Sequence, residues 1–494
     1  MKPREALGVA GATAAAAALS VYFFSPRFVL WRLLGTAVTP PEVVRAADAL
    51  RQLAHPLASI SNDTNRVLEW RLFFPALGHL LFLNDEAYLA LPSIGALVAL
   101  GYCVTIARRR GLGWMHAAAC AALLATSSWF FVSVGWLGYF DSWYVVALLL
   151  IVFARRHGVA LAAVLVGPWI DERVAFTLPL CVFLRAVYMG DIRPDGSQRL
   201  GRRQVVGLFL GLLPWLLARG LFSLAGRDVV TARYIQHMHS VHGSISPSAY
   251  LMGLWEGIRL GWLYIAGLAL CLLRVSPRRG ALFIVLAVGT LAANLAVAED
   301  LSRSVSVMAP AVLLGLILSP RPGFLGNPAV AAGAAALNLL LPAAHVIDSH
   351  RIPILYLQAE LARNQDPLAE FNAGFYESRG VSYAMTGRDQ LALEMLDVAI
   401  RIRPDFAEAI SNRSLLEAKL GNIPSAMADA DHALLLEDKV PDIWLNRGEI
   451  RMSLGDVHGA ASDIAESIER SNADWPRLRE ARESLGRIRG TVYP

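Results

Sequence analysis

The chain has 494 residues, of which 55% are hydrophobic and only 17% charged, and its mean hydropathy is +0.46. A soluble globular protein carries about 25% charge, so this balance excludes a soluble enzyme, a disordered tail and a coiled coil. The formal net charge of +5 is scattered over short basic clusters and forms no single stripe, which argues against a nucleic-acid partner and for membrane topology signals.

A helix that crosses the hydrocarbon core needs about 20 apolar residues, with a range of roughly 17 to 25. In chain order the sequence predicts about eleven such spans, near 6–24, 86–106, 114–135, 143–155, 157–170, 173–189, 204–224, 250–273, 281–298, 303–319 and 328–346. The first follows Lys2 and Arg4 and has no convincing small-residue cleavage site before Tyr22, so it reads as an uncleaved anchor. Leu72–Leu83 is apolar but too short to span, and it sits between Arg71 and Asp85 as an expected interfacial helix. Cys103, Cys120, Cys181 and Cys271 fall inside apolar stretches with no CxxC pair, as small buried hydrophobes do.

The basic loops give an orientation. Arg108–Arg110, Arg155–Arg156, Arg199 with Arg202–Arg203, Arg274 with Arg278–Arg279, and Arg321 all share one side if the spans number eleven. The positive-inside rule makes that side cytoplasmic. The amino terminus is then inside, and a large loop 25–71, a second loop 225–250 and everything after 346 lie outside. The expected location is a bacterial inner membrane with the lipid bilayer as its surroundings.

After about residue 347 charge rises and the long apolar runs stop. The chain then repeats at a spacing of 34: Gly380, Ser414 and Gly448; Gly387, Gly421 and Gly455; Ala392, Ala426 and Ala460; Ala399, Ala433 and Ser467. Tyr383, Pro404 and Trp444 fall where a tetratricopeptide (TPR) unit places such residues. Small residues let the two helices of a unit approach closely, and the glycine after the first helix permits the turn. The expected organisation is a lead-in helix over 347–370, three repeats over 371–474 and a capping helix over 475–489, within a TPR domain 371–494. Nothing in the repeats reads as catalytic, and His432 and His458 read as surface residues. Such arrays form a concave groove for a protein or peptide partner. The fold class is therefore all-α: a polytopic transmembrane bundle over 1–346, then an extracytoplasmic TPR solenoid.

Ionisable groups at the edge of a membrane span raise a functional hypothesis by default, and here they collect on the predicted outer face. Asn62–Asp63 is followed by Arg66, Glu69 and Arg71; Asp141 interrupts an aromatic run; Asp171–Glu172–Arg173 occupies a tight turn between apolar segments. Glu299, Asp300 and Arg303 end another span, and Arg233, His237, His239 and His242 lie in the second outer loop. The histidine spacing fits no standard helical zinc site, so any metal is unassigned. No P-loop, GxSxG, HExxH or dinucleotide-binding fingerprint occurs in a suitable context.

The layout of residues 1–346 resembles the GT-C class of polytopic glycosyltransferases. One anchor span is followed by a large outer loop holding Asp63, and the segment Arg66–Pro75 then precedes a run of short apolar helices. The turns Gly138–Asp141 and Asp171–Arg173 look like those of bacterial members. Many members place an acidic pair soon after the first span; here Asp63 stands alone, later in the loop. The resemblance implies a polyprenyl-phosphate-linked sugar donor and an envelope glycan or protein acceptor. It implies an acceptor base at Asp63, or else at Asp171 or Glu172. The donor phosphate would be held by Arg71, Arg173 and Arg233, or by a divalent cation. Asp141, His237, His239, Asp300 and Arg303 are secondary candidates. Two further readings compete with an enzyme: a non-catalytic membrane scaffold whose outer repeats assemble an envelope or secretion complex, and a transporter, which the lack of internal symmetry disfavours.

Overall fold

The computed structural model describes residues 3–24, 41–57, 68–192, 200–224, 245–296, 298, 300–319, 323–347, 350–354, 367–385, 387–472, 475 and 477–492. These divide into two compact units, one ending with the strands near residue 354 and one beginning with the helix Pro367–Met385.

The first unit is a bundle of apolar helices. Among the described residues six are long and apolar enough to cross a membrane: Pro3–Phe23, Asp85–Arg109, Arg173–Gly190, Arg202–Phe222, Pro277–Ala296 and Leu301–Leu318. Two bent pairs bring the number to eight if each is one span: Trp114–Ala125 with Ser128–Gly135 at 70°, and Pro247–Ile258 with Gly261–Val275 at 87°. The expected eleven spans are therefore too many. The helices Asp141–Phe153, His157–Ile170 and Pro328–Leu340 have 13, 14 and 13 residues, which at 1.5 Å per residue is about 20 Å, short of the ~30 Å hydrocarbon thickness. Hydropathy finds apolar helices but does not say where each one stops.

Leu301–Leu318 is 94% buried and forms the centre of the unit, whereas Arg202–Phe222 is only 17% buried. The peripheral helices turn large apolar side chains outward, among them Leu97, Leu217, Leu221, Val285 and Val288. An exposed apolar belt of this extent is what a lipid-facing surface requires. The segment after Arg71 forms the helix Phe73–Leu80, and its tip leaves Leu80, Leu81 and Phe82 exposed.

Short helices inside an apolar bundle carry a specific problem. The last four carbonyls of each have no intrahelical donor, and an unsatisfied carbonyl away from water costs about 1–3 kcal/mol. Two buried arginines meet this need. Arg185 donates to the carbonyls of Ile151, Val152 and Ala154 at the end of Asp141–Phe153. Arg259, at the 87° bend, donates to those of Asn338, Leu341 and Pro342 at the end of Pro328–Leu340. Asn338 joins both bends. Its amide nitrogen donates to Thr126 Oγ1 at one, and its oxygen accepts from Leu260 N at the other.

One feature departs from an all-helical layout. Ala343–Ile347 and His350–Ile354 pair as an antiparallel hairpin, with Ala343 opposite Ile354 and Ile347 opposite His350. The expected last span therefore ends as a helix at Leu340, and the expected lead-in helix starts as a strand. The physical reason is local: Pro342 stops the helix and the β-branched residues Val346, Ile347, Ile352 and Ile354 favour extended pairing. Asp300 bridges to Ile347 beside this hairpin.

The second unit consists of the helical pairs Pro367–Met385/Asp389–Ile402, Ala407–Lys419/Ile423–Leu436 and Pro441–Ser453/Val457–Arg470, followed by Leu478–Val492. The 34-residue series have distinct roles. Gly387, Gly421 and Gly455 take φ of 73°, 89° and 78°, the left-handed turn between the helices of each pair. Ala392, Ala426 and Ala460 are wholly buried. A Cβ on Gly380 would meet Leu396 Cγ at 2.8 Å, and one on Gly448 would meet Ile464 Cγ1 at 2.9 Å.

A second 34-residue device binds neighbouring helices. Arg413 forms a bidentate pair with Asp429 (2.7 and 2.8 Å) and reaches Asp397 at 2.8 Å. One repeat later, Arg447 pairs with Asp463 (2.9 and 2.7 Å) and Asp431 (2.8 Å). The Asp463 side chain is 2% exposed and that of Asp429 is 15% exposed, so the two links differ in worth. Arg447→Leu is expected to destabilise its repeat by about 2–3 kcal/mol, near the upper range for a hydrogen bond to a charged group, and Arg413→Leu by about half of that. Amide hydrogen exchange over 441–470 and 407–436 in the full chain reads the two local losses; equal losses would contradict the burial argument.

Candidate functional site: a buried arginine–carboxylate network

Four separate segments of the first unit bring their charges to one place. The turn at Gly138, with φ of 75°, leads to Asp141 at the start of its helix. A Cβ on Gly138 would lie 3.4 Å from the Arg45 carbonyl oxygen, so the glycine also lets the helix Pro41–Ala54 rest on this turn. Asp171 occupies the break between His157–Ile170 and the helix that opens at Arg173. Asp300 is the N-cap of Leu301–Val305, accepting from Arg303 N at 2.9 Å.

The contacts form a continuous chain. Arg71 donates to Glu172 through two nitrogens at 3.1 and 2.7 Å and pairs with Asp171 at 3.0 Å. Arg173 donates to both oxygens of Asp171 at 2.7 Å and to Asp141 at 2.8 Å. Arg303 Nε reaches the same Asp141 oxygen at 2.8 Å, and Arg303 Nη1 lies 3.7 Å from Asp300 Oδ2. The ring of Tyr144 lies 4.4 Å beneath Arg173, and its hydroxyl donates to the Arg303 carbonyl at 3.3 Å.

From Asp300 the network continues through neutral groups. Ser302 Oγ donates to Asp300 Oδ1 at 3.1 Å, Ser128 Oγ to Ser302 Oγ at 3.3 Å, and Ser128 Oγ lies 3.2 Å from His345 Nδ1. His345 sits on the first strand of the hairpin, its ring centroid 4.7 Å from that of Trp136 with the planes tilted by 59°.

The electrostatics sort the carboxylates. Burial pushes the Asp171 carboxyl up, but Arg173 and Arg71 outweigh it and hold the group well below the usual carboxylate range. Such a carboxylate is a weak base. Asp300 behaves in the opposite way: burial raises it above the ordinary range and Arg303 only partly offsets this. Among the described residues its Oδ2 has no hydrogen-bond partner, so Asp300 combines a raised carboxyl with an oxygen free of hydrogen bonds.

The arginines sort too. All three guanidinium nitrogens of Arg71 contact carboxylates. Those of Arg173 are taken by Asp171, Asp141 and the Arg303 carbonyl. Every nitrogen of both guanidinium groups is thus engaged inside the network. Arg45 differs. It is 6% exposed, and its guanidinium lies 4.1 Å from the Tyr139 ring. Among the described residues it has no carboxylate partner, and its Nε makes no hydrogen bond. Burial brings its pKa down to about 10, with Arg303 and Arg71 nearby adding to the effect.

Of the residues singled out from the sequence, Arg71, Asp141, Asp171, Glu172, Arg173, Asp300 and Arg303 thus meet in one network. Asp63, Arg233, His237 and His239 lie outside the described residues. Among the described residues, no three His, Cys, Asp or Glu side chains converge as metal ligands. Sequence reasoning missed Arg45, Tyr139, Tyr144, Ser128, Ser302 and His345. Arg45 had a usable signal: it shares the buried helical face of Ala46, Ala49 and Leu53, where an arginine is out of place.

Fold and site together define a protein with an apolar, membrane-type helical bundle, a buried charge network and a TPR array. No family model matches the chain. A TPR repeat-containing protein of Rhizobium etli is 38% identical over 52 residues, which are 10% of this chain and 26% of that protein. The chain therefore matches about a quarter of that relative's length. Similar solved structures include the Arabidopsis OM64 TPR domain (22% identical; 24% of this chain and 96% of that one; TM-score 0.22). The TPR domain of Sgt2 from Aspergillus fumigatus is 20% identical and covers 24% of this chain and 78% of its own (TM-score 0.23). The TPR2AB domain of yeast Sti1, in complex with pHSP90, is 12% identical and covers 62% and 98% (TM-score 0.23). At these scores the assignment of the repeats rests on their period and turn geometry.

Proposed function

We propose that the first unit is a membrane-embedded glycosyltransferase of GT-C-like layout. It would transfer a sugar from a polyprenyl-phosphate-linked donor, while the TPR array holds the polypeptide that bears or delivers the acceptor. The carrying observation is the convergence of charged residues from four segments into one buried network within an apolar bundle. Burying a charge costs several kcal/mol per ion, and a hydrophobic replacement of a buried pair is often neutral or stabilising. Stability alone therefore gives such a network little reason to exist, and an embedded ionisable cluster reads as a functional site.

In this reading the anomeric carbon–oxygen bond to phosphate breaks as the bond to the acceptor oxygen forms. The acceptor proton goes to a carboxylate and the lipid phosphate leaves. Asp171 and Asp141 act as fixed anions that orient arginines. The proton falls to Asp63, or to Asp300 with its open oxygen, and Glu172 at the partly exposed edge positions Arg71. The site faces away from the cytoplasm of a bacterial inner membrane, where the repeats meet their partner.

A second reading is favoured by the closure of the Arg71–Glu172–Asp171–Arg173 pairs: a scaffold in which the network only locks the bundle. Proteoliposome transfer assays separate the two. An enzyme predicts that Asp63→Ala and Asp300→Asn each lower sugar transfer at least 100-fold with thermal stability within a few degrees of wild type. It also predicts that removing 363–494 impairs only polypeptide-dependent transfer. Full transfer in both variants would overturn the enzyme reading, and loss of partner assembly on removing 363–494 would then support the scaffold.

A further inference from the structure

We propose that Arg45 and Arg303, gathered around Tyr139, form an anion site for a phosphate or diphosphate group. The guanidinium carbons lie 4.1 and 4.8 Å from the same ring centroid, which puts them within about 9 Å of one another. Two like charges so close repel, and in a poorly hydrated setting that repulsion is costly. Arg303 spends Nε on Asp141 and stands 3.7 Å from Asp300 through Nη1. Among the described residues Arg45 has no carboxylate within ion-pair distance, and Asp141 acts on it only from farther away. The nearby carboxylate on its own helix, Asp48, contacts Arg51 at 3.4 Å.

The pairing of the neighbouring charges points the same way. Arg45, Arg71, Arg173 and Arg303 face Asp141, Asp171, Glu172 and Asp300. Each of those carboxylates is in contact with Arg71, Arg173 or Arg303, which leaves Arg45 as the guanidinium of the group with no carboxylate within ion-pair distance among the described residues. A buried, planar guanidinium with unused donors suits bidentate recognition of phosphate oxygens. The Tyr139 ring holds it in position by a cation–π contact that consumes none of those donors. The helix Pro41–Ala54 is placed for this by Gln52, which donates to the Leu68 carbonyl at 2.9 Å, and by the Gly138 turn beneath it.

The inference deepens the transferase reading by naming where the donor's phosphate sits. It is tested by binding alone, so its outcome and that of the transfer assay are independent. The full chain, purified in detergent at low ionic strength, is titrated with inorganic pyrophosphate by calorimetry and thermal shift. A parallel arm uses nanodiscs of phosphatidylcholine with or without polyprenyl phosphate. The expected result is saturable binding that raises Tm. It should be at least tenfold weaker in Arg45→Gln, intermediate in Arg45→Lys, and unchanged in Arg156→Gln, an exposed control. Without ligand, Arg45→Gln should melt no lower than wild type, because it removes an uncompensated buried charge. Binding in both arms supports a general phosphate site; binding in the nanodisc arm only supports a lipid-borne group. The proposal is overturned if wild type binds in neither arm, or if Arg156→Gln weakens binding as much as Arg45→Gln. It is also overturned if Arg45→Gln lowers the ligand-free Tm by several degrees while its affinity is unchanged.

Discussion

Arg173→Leu is expected to cost about 3–5 kcal/mol of bundle stability, the range for removing one partner from a buried ion pair. The side chain is 4% exposed and serves Asp171, itself 3% exposed, and Asp141, 1% exposed. Its loss leaves Asp171 with Arg71 and Asp141 with Arg303, so the buried network is one cation short. Detergent-solubilised protein should show a marked drop in Tm by intrinsic tryptophan fluorescence. The coupling is testable by adding Asp141→Asn, which removes the surplus carboxylate charge. The double variant should be more stable than the sum of the single losses predicts. Strict additivity would show that these residues do not act as one network.

Arg259→Leu is expected to be nearly as damaging, by about 3 kcal/mol or more, because buried carbonyls lose their donors. The carbonyls are those of Asn338, Leu341 and Pro342, bonded at 2.5, 2.7 and 2.9 Å. Arg259 also holds φ at 49°, a conformation that strains a residue with a Cβ. Two effects therefore compete at one position, and a second substitution separates them. Arg259→Gly relieves the backbone but loses the clamp. If the clamp dominates, as the three bonds imply, both variants melt far below wild type. Wild-type stability in Arg259→Gly would assign the residue to backbone strain instead.

The parts of this architecture that follow from periodic pattern were legible in the chain. Gly387, Gly421 and Gly455 recur every 34 residues and occupy the same left-handed turn in each helical pair, because a repeat must solve the same steric problem each time. The Arg413/Arg447 and Asp429/Asp463 pairs recur at that spacing as well, so the charged positions carry the same period as the small ones. Hydropathy located each apolar helix but overcounted the spans. Whether a 13-residue apolar helix stops inside the bundle depends on a donor supplied from elsewhere, as Arg185 does for Ile151, Val152 and Ala154.

The charged residues show the same division. That Asp171, Glu172 and Arg173 stand at a costly position is a statement about burial, and burial of a charge can be read from its apolar flanks. Which carboxylate is spent and which is open cannot be read that way. Asp171 and Asp300 are the same side chain with opposite behaviour, one held between Arg71 and Arg173, the other with an oxygen lacking any hydrogen bond among the described residues. Likewise Arg71 and Arg173 look like phosphate ligands in the chain, but every nitrogen of each already has a protein partner, while Arg45 has no carboxylate in ion-pair contact among the described residues. By itself the sequence determined the apolar bundle, the repeat array and the set of expensive charges, since each follows from composition or spacing along the chain. Only the tertiary structure decided who pairs with whom, because a hydrogen bond depends on ångströms between segments more than a hundred residues apart.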